Sequence, residues 1–190
     1  MQTLPDLGHI QWMLTRTGIC LPKNVRVLIM AEPDKCAHGR LQKGDTTLND
    51  HNLDVVDFGF LTAARYFCVS FSSPHSDAWV FAILVSERFF PGPDSAEMMR
   101  RALAVVQEMR TSRRSTFRFS NPRCECCANI VTQDERHLLQ LVQHARNGKR
   151  SHAASSAMLL CEGHDTADTI LAAYQFADAV SSFKVANATA

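Results

Sequence analysis

The chain has 190 residues, of which 46% are hydrophobic and 21% are charged, and its formal net charge is +1. This composition excludes a disordered chain, because there is enough apolar surface to offset the entropy of ordering the backbone. The near-neutral charge excludes a general attraction of the whole protein to nucleic acid or to membranes. The length predicts one domain with an appendage, or two small domains.

The N-terminal segment lacks the basic region followed by an apolar region that marks a secretory signal. The most apolar stretch, residues 78–85, is much shorter than the roughly 20 residues of a membrane-spanning helix. We therefore expect a cytoplasmic protein, and the abundance of Ala and Arg is typical of a bacterial genome rich in GC. In a reducing compartment, the seven cysteines are expected to be buried thiols or metal ligands rather than disulfides.

Residues 1–121 are predicted to form an α+β domain with a small antiparallel sheet and a helix. A short helix is expected at 7–16, and alternating β-branched residues predict a strand at 24–31. Further runs rich in aromatic and β-branched residues predict strands at 53–60, 65–71 and 78–89. Turn-forming residues at 72–77 indicate a hairpin between the last two of these strands.

The remainder of this domain is predicted to contain one helix and one more strand. Glu97 stands three residues after Asp94, which is the spacing of a capping box. We therefore expect a helix from Asp94 to about Met109. Alternating residues at 115–120 predict a strand that returns to the edge of the sheet.

Residues 122–190 are rich in Ala and Leu and are predicted to form a separate three-helix subdomain. Thr132 and Glu135 have the spacing of a second capping box. The predicted helices run over about 133–147, 151–161 and 165–185. Gly148 and Gly163 are expected to end the first two.

Two short cysteine and histidine motifs flank the first two of these helices. Cys124 and Cys127 have C-x2-C spacing, and Cys161 and His164 have C-x2-H spacing. If the two helices are antiparallel, the second carries Cys161 back toward the start of the first, beside Cys127. Four such ligands suit a tetrahedral zinc ion. The sequence therefore predicts a structural zinc site of Cys124, Cys127, Cys161 and His164 that staples the subdomain, with Cys126 as an alternative ligand.

Other interpretations of this cluster stay open at the level of sequence. The four cysteines are also able to hold an iron–sulfur cluster, and adjacent Cys126 and Cys127 suit a redox sensor. Ordinary buried thiols are a further alternative. A metal-dependent enzyme would need one coordination position open to water and a base such as Glu125 or Glu162.

Residues 100–123 are strongly basic, with a net charge of +6. The arginines of this segment are Arg100, Arg101, Arg110, Arg113, Arg114, Arg118 and Arg123. Such a segment is a candidate for contact with nucleic acid or with an acidic protein partner, although a solvated helix face gives the same pattern. Arg146, Lys149 and Arg150 form a second basic spot. We therefore expect a non-catalytic, zinc-binding regulatory or adaptor protein, with a metal-dependent enzyme or an oligomerisation module as alternatives.

Overall fold

The computed structural model describes residues 41–91 and 94–188. These residues form seven α-helices and one small antiparallel sheet, which confirms the α+β class and shows that helices predominate. The helices are α1 (Val55–Ser72), α2 (Ala78–Phe89), α3 (Ser95–Ser112), α4 (Glu125–Ala128), α5 (Gln133–Arg146), α6 (Arg150–Leu160) and α7 (Ala167–Ala188). The strands are β1 (Thr46–Thr47) and β2 (Ile130–Val131), in which Thr46 lies opposite Val131 and Thr47 opposite Ile130. The helix expected at 7–16 and the strand expected at 24–31 lie outside the described residues.

The three strands predicted between residues 53 and 89 are wrong, because this part of the chain forms α1 and α2. Asp54 starts α1 by accepting a hydrogen bond from the backbone nitrogen of Asp57 at 2.8 Å. Buried residues lie on most sides of α1, so its sequence shows neither the period of an amphipathic helix nor a clean alternation. The segment 72–77 joins two helices rather than two strands.

Helix α1 lies at the centre of the core, where it packs against α2, α3 and α5. Phe60 on α1 contacts Phe176 on α7, with 5.0 Å between ring centroids. Gly59 lets α2 approach closely, because a Cβ atom at this position would lie 2.6 Å from the Cβ of Phe89. Among the described residues, α1 alone is long and apolar enough to cross a membrane, and its burial in this core accounts for that composition.

Helix α3 confirms the helix predicted after Asp94, but the predicted capping box is not formed. Within the described part of the chain, the Asp94 side chain makes no capping hydrogen bond. Glu97 instead forms ion pairs with Arg100 and Arg101 on the surface of the same helix. Glu97 therefore stabilises α3 through ion pairs with residues three and four positions later, and it does not cap the start of the helix.

Helices α5, α6 and α7 confirm the three helices predicted after residue 122. The capping box of Thr132 and Glu135 is formed in both directions, with the two backbone nitrogens bonded at 2.9 and 3.1 Å. Gly148 has a φ of 67°, which allows the short link from α5 to α6. The domain boundary between residues 121 and 122 stays a prediction.

The strand predicted at 115–120 is wrong, because several backbone nitrogens of this segment donate to carboxylates instead of to a neighbouring strand. The pairs are Ser115 with Glu162 at 3.2 Å, Arg118 with Asp134 at 2.8 Å and Ser120 with Glu135 at 3.0 Å. Carboxylates on α5 and just after α6 therefore accept the hydrogen bonds that a neighbouring strand would otherwise accept.

A buried ion pair between Arg65 on α1 and Glu135 on α5 links the centre of the core to the start of α5. The Arg65 Nε donates to Glu135 Oε1 at 2.7 Å, and the two side chains are 5% and 1% exposed. The other guanidinium nitrogens of Arg65 donate to the backbone oxygens of Ala128, at 2.7 Å, and of Ile130. The guanidinium therefore fixes the end of α4 and the start of β2 against α1.

The carboxylate of Glu135 is equally well satisfied. Besides Arg65, it accepts hydrogen bonds from the backbone nitrogens of Ser120, at 3.0 Å, and Thr132, at 2.9 Å. A buried charge is tolerated only when it is paired and hydrogen-bonded in this way. The pair therefore holds the whole connection from the segment 115–120 to α5 in one conformation.

We expect Arg65→Met to lower the free energy of unfolding by about 3–5 kcal/mol, because it leaves the Glu135 carboxylate buried without its partner. Urea denaturation of the variant and of the parent protein measures this change. Glu97→Gln is the matched control, since it breaks ion pairs that are exposed on α3 and should have little effect. Equal stability of the two variants would contradict the role given to Arg65.

Candidate functional site

The C-x2-C motif forms one tight turn around the start of α4. The backbone nitrogen of Cys127 donates to the backbone oxygen of Cys124 at 3.1 Å. Cys124 and Cys127 are buried, whereas Cys126 is exposed. The spacing therefore places the two outer cysteines of the motif on the buried side of the turn and the alternative ligand on the solvent side.

The second motif lies at the end of α6. Cys161 is fully buried, and its Sγ lies 3.6 Å from the Oγ1 of Thr169, while His164 is partly exposed. In the described ranges, no group of three or more His, Cys, Asp or Glu side chains is close enough to hold a metal ion. These residues therefore do not assemble the four-ligand set, and the zinc site stays a prediction.

The predicted return of α6 toward the start of α5 is present, and Arg113 connects the two ends. Its guanidinium donates to the backbone oxygen of Leu160, at the end of α6. It also lies 3.3 Å from the carboxylates of Asp134, at the start of α5, and Glu162, after α6. The Arg113 side chain is only 5% exposed. An arginine from the predicted binding segment therefore joins the helix ends for which the sequence analysis expected a metal.

Most of the arginines predicted to bind a partner are ion-paired within the fold. Five of the seven form ion pairs: Arg100 and Arg101 with Glu97, Arg113 with Asp134 and Glu162, Arg118 with Asp45, and Arg123 with Asp77. In the second basic spot, Arg146 pairs with Asp54 and Asp57. Most of these carboxylates come from distant parts of the sequence, which is why the sequence pattern did not reveal the pairing.

Arg110 and Arg114 differ from the other arginines of this segment. Both are exposed, and neither forms an ion pair with a carboxylate among the described residues. The guanidinium of Arg110 lies over the ring of Phe71, 4.5 Å from its centroid, and donates to the side chain of Gln107. The backbone nitrogen of Arg114 donates to Glu162 at 3.2 Å. Within the described part of the chain, the guanidinium charges of Arg110 and Arg114 are therefore without a carboxylate partner.

Beside Arg110 lies a groove of about 220 Å³, which we call the α1–α3 groove. It runs between the end of α1, the last turns of α3 and the segment 115–119. Its apolar lining consists of Phe71, Val106, Met109, Phe117 and Phe119, and its polar lining includes Arg110, Arg113, Ser115 and Thr116. The groove is not evident from the sequence, because it is built from residues that are far apart along the chain.

The groove also contains the thiol of Cys68. Burial, reinforced by the charge of Glu135, raises the pKa of Cys68 to about 12, although Arg110 lowers it slightly. The thiol is therefore protonated at neutral pH and contributes a small apolar surface rather than a nucleophile. This chemistry suits a binding groove.

A comparison of the chain with protein-family models, curated proteins and solved structures finds no match. The function is therefore inferred from the site itself. Its distinguishing features are two arginines that have no carboxylate partner among the described residues and the apolar groove next to one of them.

Proposed function

We propose that this protein is a non-catalytic adaptor that binds an acidic segment of a partner protein through Arg110 and Arg114. The observation that carries the proposal is the contrast within one basic segment: five arginines have carboxylate partners in the fold, and these two have none among the described residues. Carboxylates of a partner complement two exposed guanidinium groups, since each planar guanidinium can donate two parallel hydrogen bonds to one carboxylate.

The surroundings of Arg114 support this proposal, because they direct its side chain outward. Glu162 accepts hydrogen bonds from the backbone nitrogens of Arg114 and Ser115, each at 3.2 Å. Hydrogen bonds from the side chain and the backbone of Ser115 lower the pKa of Glu162 to about 2. The carboxylate therefore stays ionised at neutral pH and holds the backbone of this turn, while the guanidinium of Arg114 remains exposed.

An acidic protein segment is favoured over nucleic acid for three reasons. Affinity for nucleic acid rises with the number of phosphates that Lys and Arg neutralise, and most arginines of the basic segment already have carboxylate partners in the fold. A base-stacking platform is also less accessible, because the guanidinium of Arg110 covers one face of the Phe71 ring. The groove next to Arg110 is apolar, which suits a side chain of a protein partner.

We expect the double variant Arg110→Ala/Arg114→Ala to bind a fluorescent peptide of glutamate and serine about tenfold more weakly than the parent protein, because two charge-assisted contacts are lost. Fluorescence anisotropy measures the affinity, which should also fall as salt is added. The matched control is Arg100→Ala, which removes an exposed arginine whose carboxylate partner is on its own helix.

Three results would count against this function. They are no salt-dependent binding of the peptide by the parent protein, an equal loss in the Arg100→Ala control, and tighter binding of mixed-sequence oligonucleotides than of the acidic peptide. Circular dichroism establishes that each variant is folded before its affinity is compared.

Zinc is the cofactor that we propose, in a structural role at the turn from Cys124 to Cys127. The support is the C-x2-C spacing together with the burial of both outer cysteines on one turn. Cys161 and His164 are the other ligands that the sequence predicts, and zinc binding would have to bring them to this turn, because the described residues contain no group of three ligands. Zinc bound by thiolates in such a turn would stabilise the folded chain, because the ligands must be brought together by folding.

Elemental analysis of the purified protein should find about one equivalent of zinc, the content of a single tetrahedral site. Cys127→Ser is expected to lose this zinc, whereas Cys126→Ser, which changes the exposed neighbour, is expected to retain it. Zinc well below half an equivalent in the parent protein would overturn the zinc proposal, as would iron with acid-labile sulfide.

A further inference from the structure

We infer that the α1–α3 groove receives one large apolar side chain of the acidic partner segment. Recognition would then combine an apolar anchor in the groove with carboxylates at Arg110 and Arg114. This inference rests on the proposed function, which by itself specifies only that the bound segment is acidic.

The volume of the groove matches a side chain better than it matches a metabolite or cofactor. At about 220 Å³, it is smaller than the roughly 300–1,000 Å³ typical of small-molecule sites. An apolar cavity of about 150 Å³ holds a benzene molecule. A phenyl, indole or leucine side chain therefore fits, with the backbone of the bound segment passing outside.

The apolar lining of the groove favours the burial of such a side chain. Phe71 is 36% exposed, although it lies beside the buried residues Val106 and Met109. Covering this apolar surface removes it from water, which is the main source of affinity for an anchor residue in a pocket. The protonated thiol of Cys68 adds no charge that would oppose it.

The arginines that line the groove indicate that hydrogen-bond acceptors flank the apolar side chain in the bound segment. Arg110 lines the groove and has no carboxylate partner among the described residues. Arg113 also lines it, and its Nε is buried without a hydrogen-bond acceptor in the described part of the chain. The exposed guanidinium of Arg110 donates hydrogen bonds, so a carboxylate or backbone oxygen of a bound segment would be its acceptor.

The charge of the site distinguishes this occupant from others. A second copy of the chain would have to insert a segment of its own that is both acidic and apolar. Such self-association would be visible as an increase in molecular mass. An acyl chain has no charge to pair with Arg110, which lines the groove. The acidic segment with one apolar anchor is the occupant that satisfies both the lining and the arginines.

The test uses two fluorescent peptides of glutamate and serine that differ only at the central residue, which is phenylalanine in one and serine in the other. The parent protein should bind the phenylalanine peptide at least about tenfold more tightly, because one aromatic side chain is buried. Thr116→Trp places a large side chain in the groove and should abolish this preference. Thr111→Trp is the matched control, since Thr111 is exposed on α3 but does not line the groove.

The outcomes separate this inference from the proposed function. Equal binding of the two peptides by the parent protein would overturn the anchor while leaving the acidic partner intact. Binding of neither peptide would overturn the proposed function itself, and with it the anchor. A preference that persists in Thr116→Trp places the anchor elsewhere and overturns the inference.

If Thr116→Trp does not fold, Ser72→Trp blocks the other side of the same groove. Self-association of the protein without any effect of the peptides would also overturn the inference.

Discussion

The buried ion pair of Arg65 and Glu135 is the interaction on which the rest of the structure depends. Burying two charges costs several kcal/mol for each ion, so the pair persists only because nearly every hydrogen-bonding group is satisfied. Arg65 achieves this by bonding the backbone of α4 and β2, and Glu135 by bonding the backbone before and at the start of α5. The turn that carries Cys124 and Cys127 is thereby held against α1.

Arg113 is a second arginine that links separate elements, although its Nε has no acceptor among the described residues. It joins the end of α6 to the start of α5, and Glu162 fixes the backbone that follows Arg113. Most arginines of the basic segment form ion pairs within the fold, and Arg110 and Arg114 are the two that we propose bind a partner. The α1–α3 groove lies where these two groups of arginines meet, with Arg113 in its wall and Arg110 at its edge.

The elements that were predictable from the sequence are those with a clear local signal. Helices α3 and α5 have an apolar face, the capping box of Thr132 and Glu135 marks where α5 begins, and Gly148 separates α5 from α6. Helices α1 and α2 were predicted as strands, because their sequences are rich in apolar residues and short apolar runs do not distinguish the two structures. The groove and the ion pairs were not predictable, because they join residues that are distant in the sequence. The two outer cysteines of the α4 turn are buried and Cys161 lies against Thr169, and their role as metal ligands stays a prediction.

The most direct test of this account is native-state hydrogen exchange of the backbone amides of Ser120 and Thr132, both of which donate to Glu135. If the Arg65–Glu135 pair organises the connection between α4 and α5, Arg65→Met should speed exchange at these two amides more than in the middle of α7. Unchanged protection at Ser120 and Thr132, or a uniform acceleration throughout the helices, would contradict the central role of the pair.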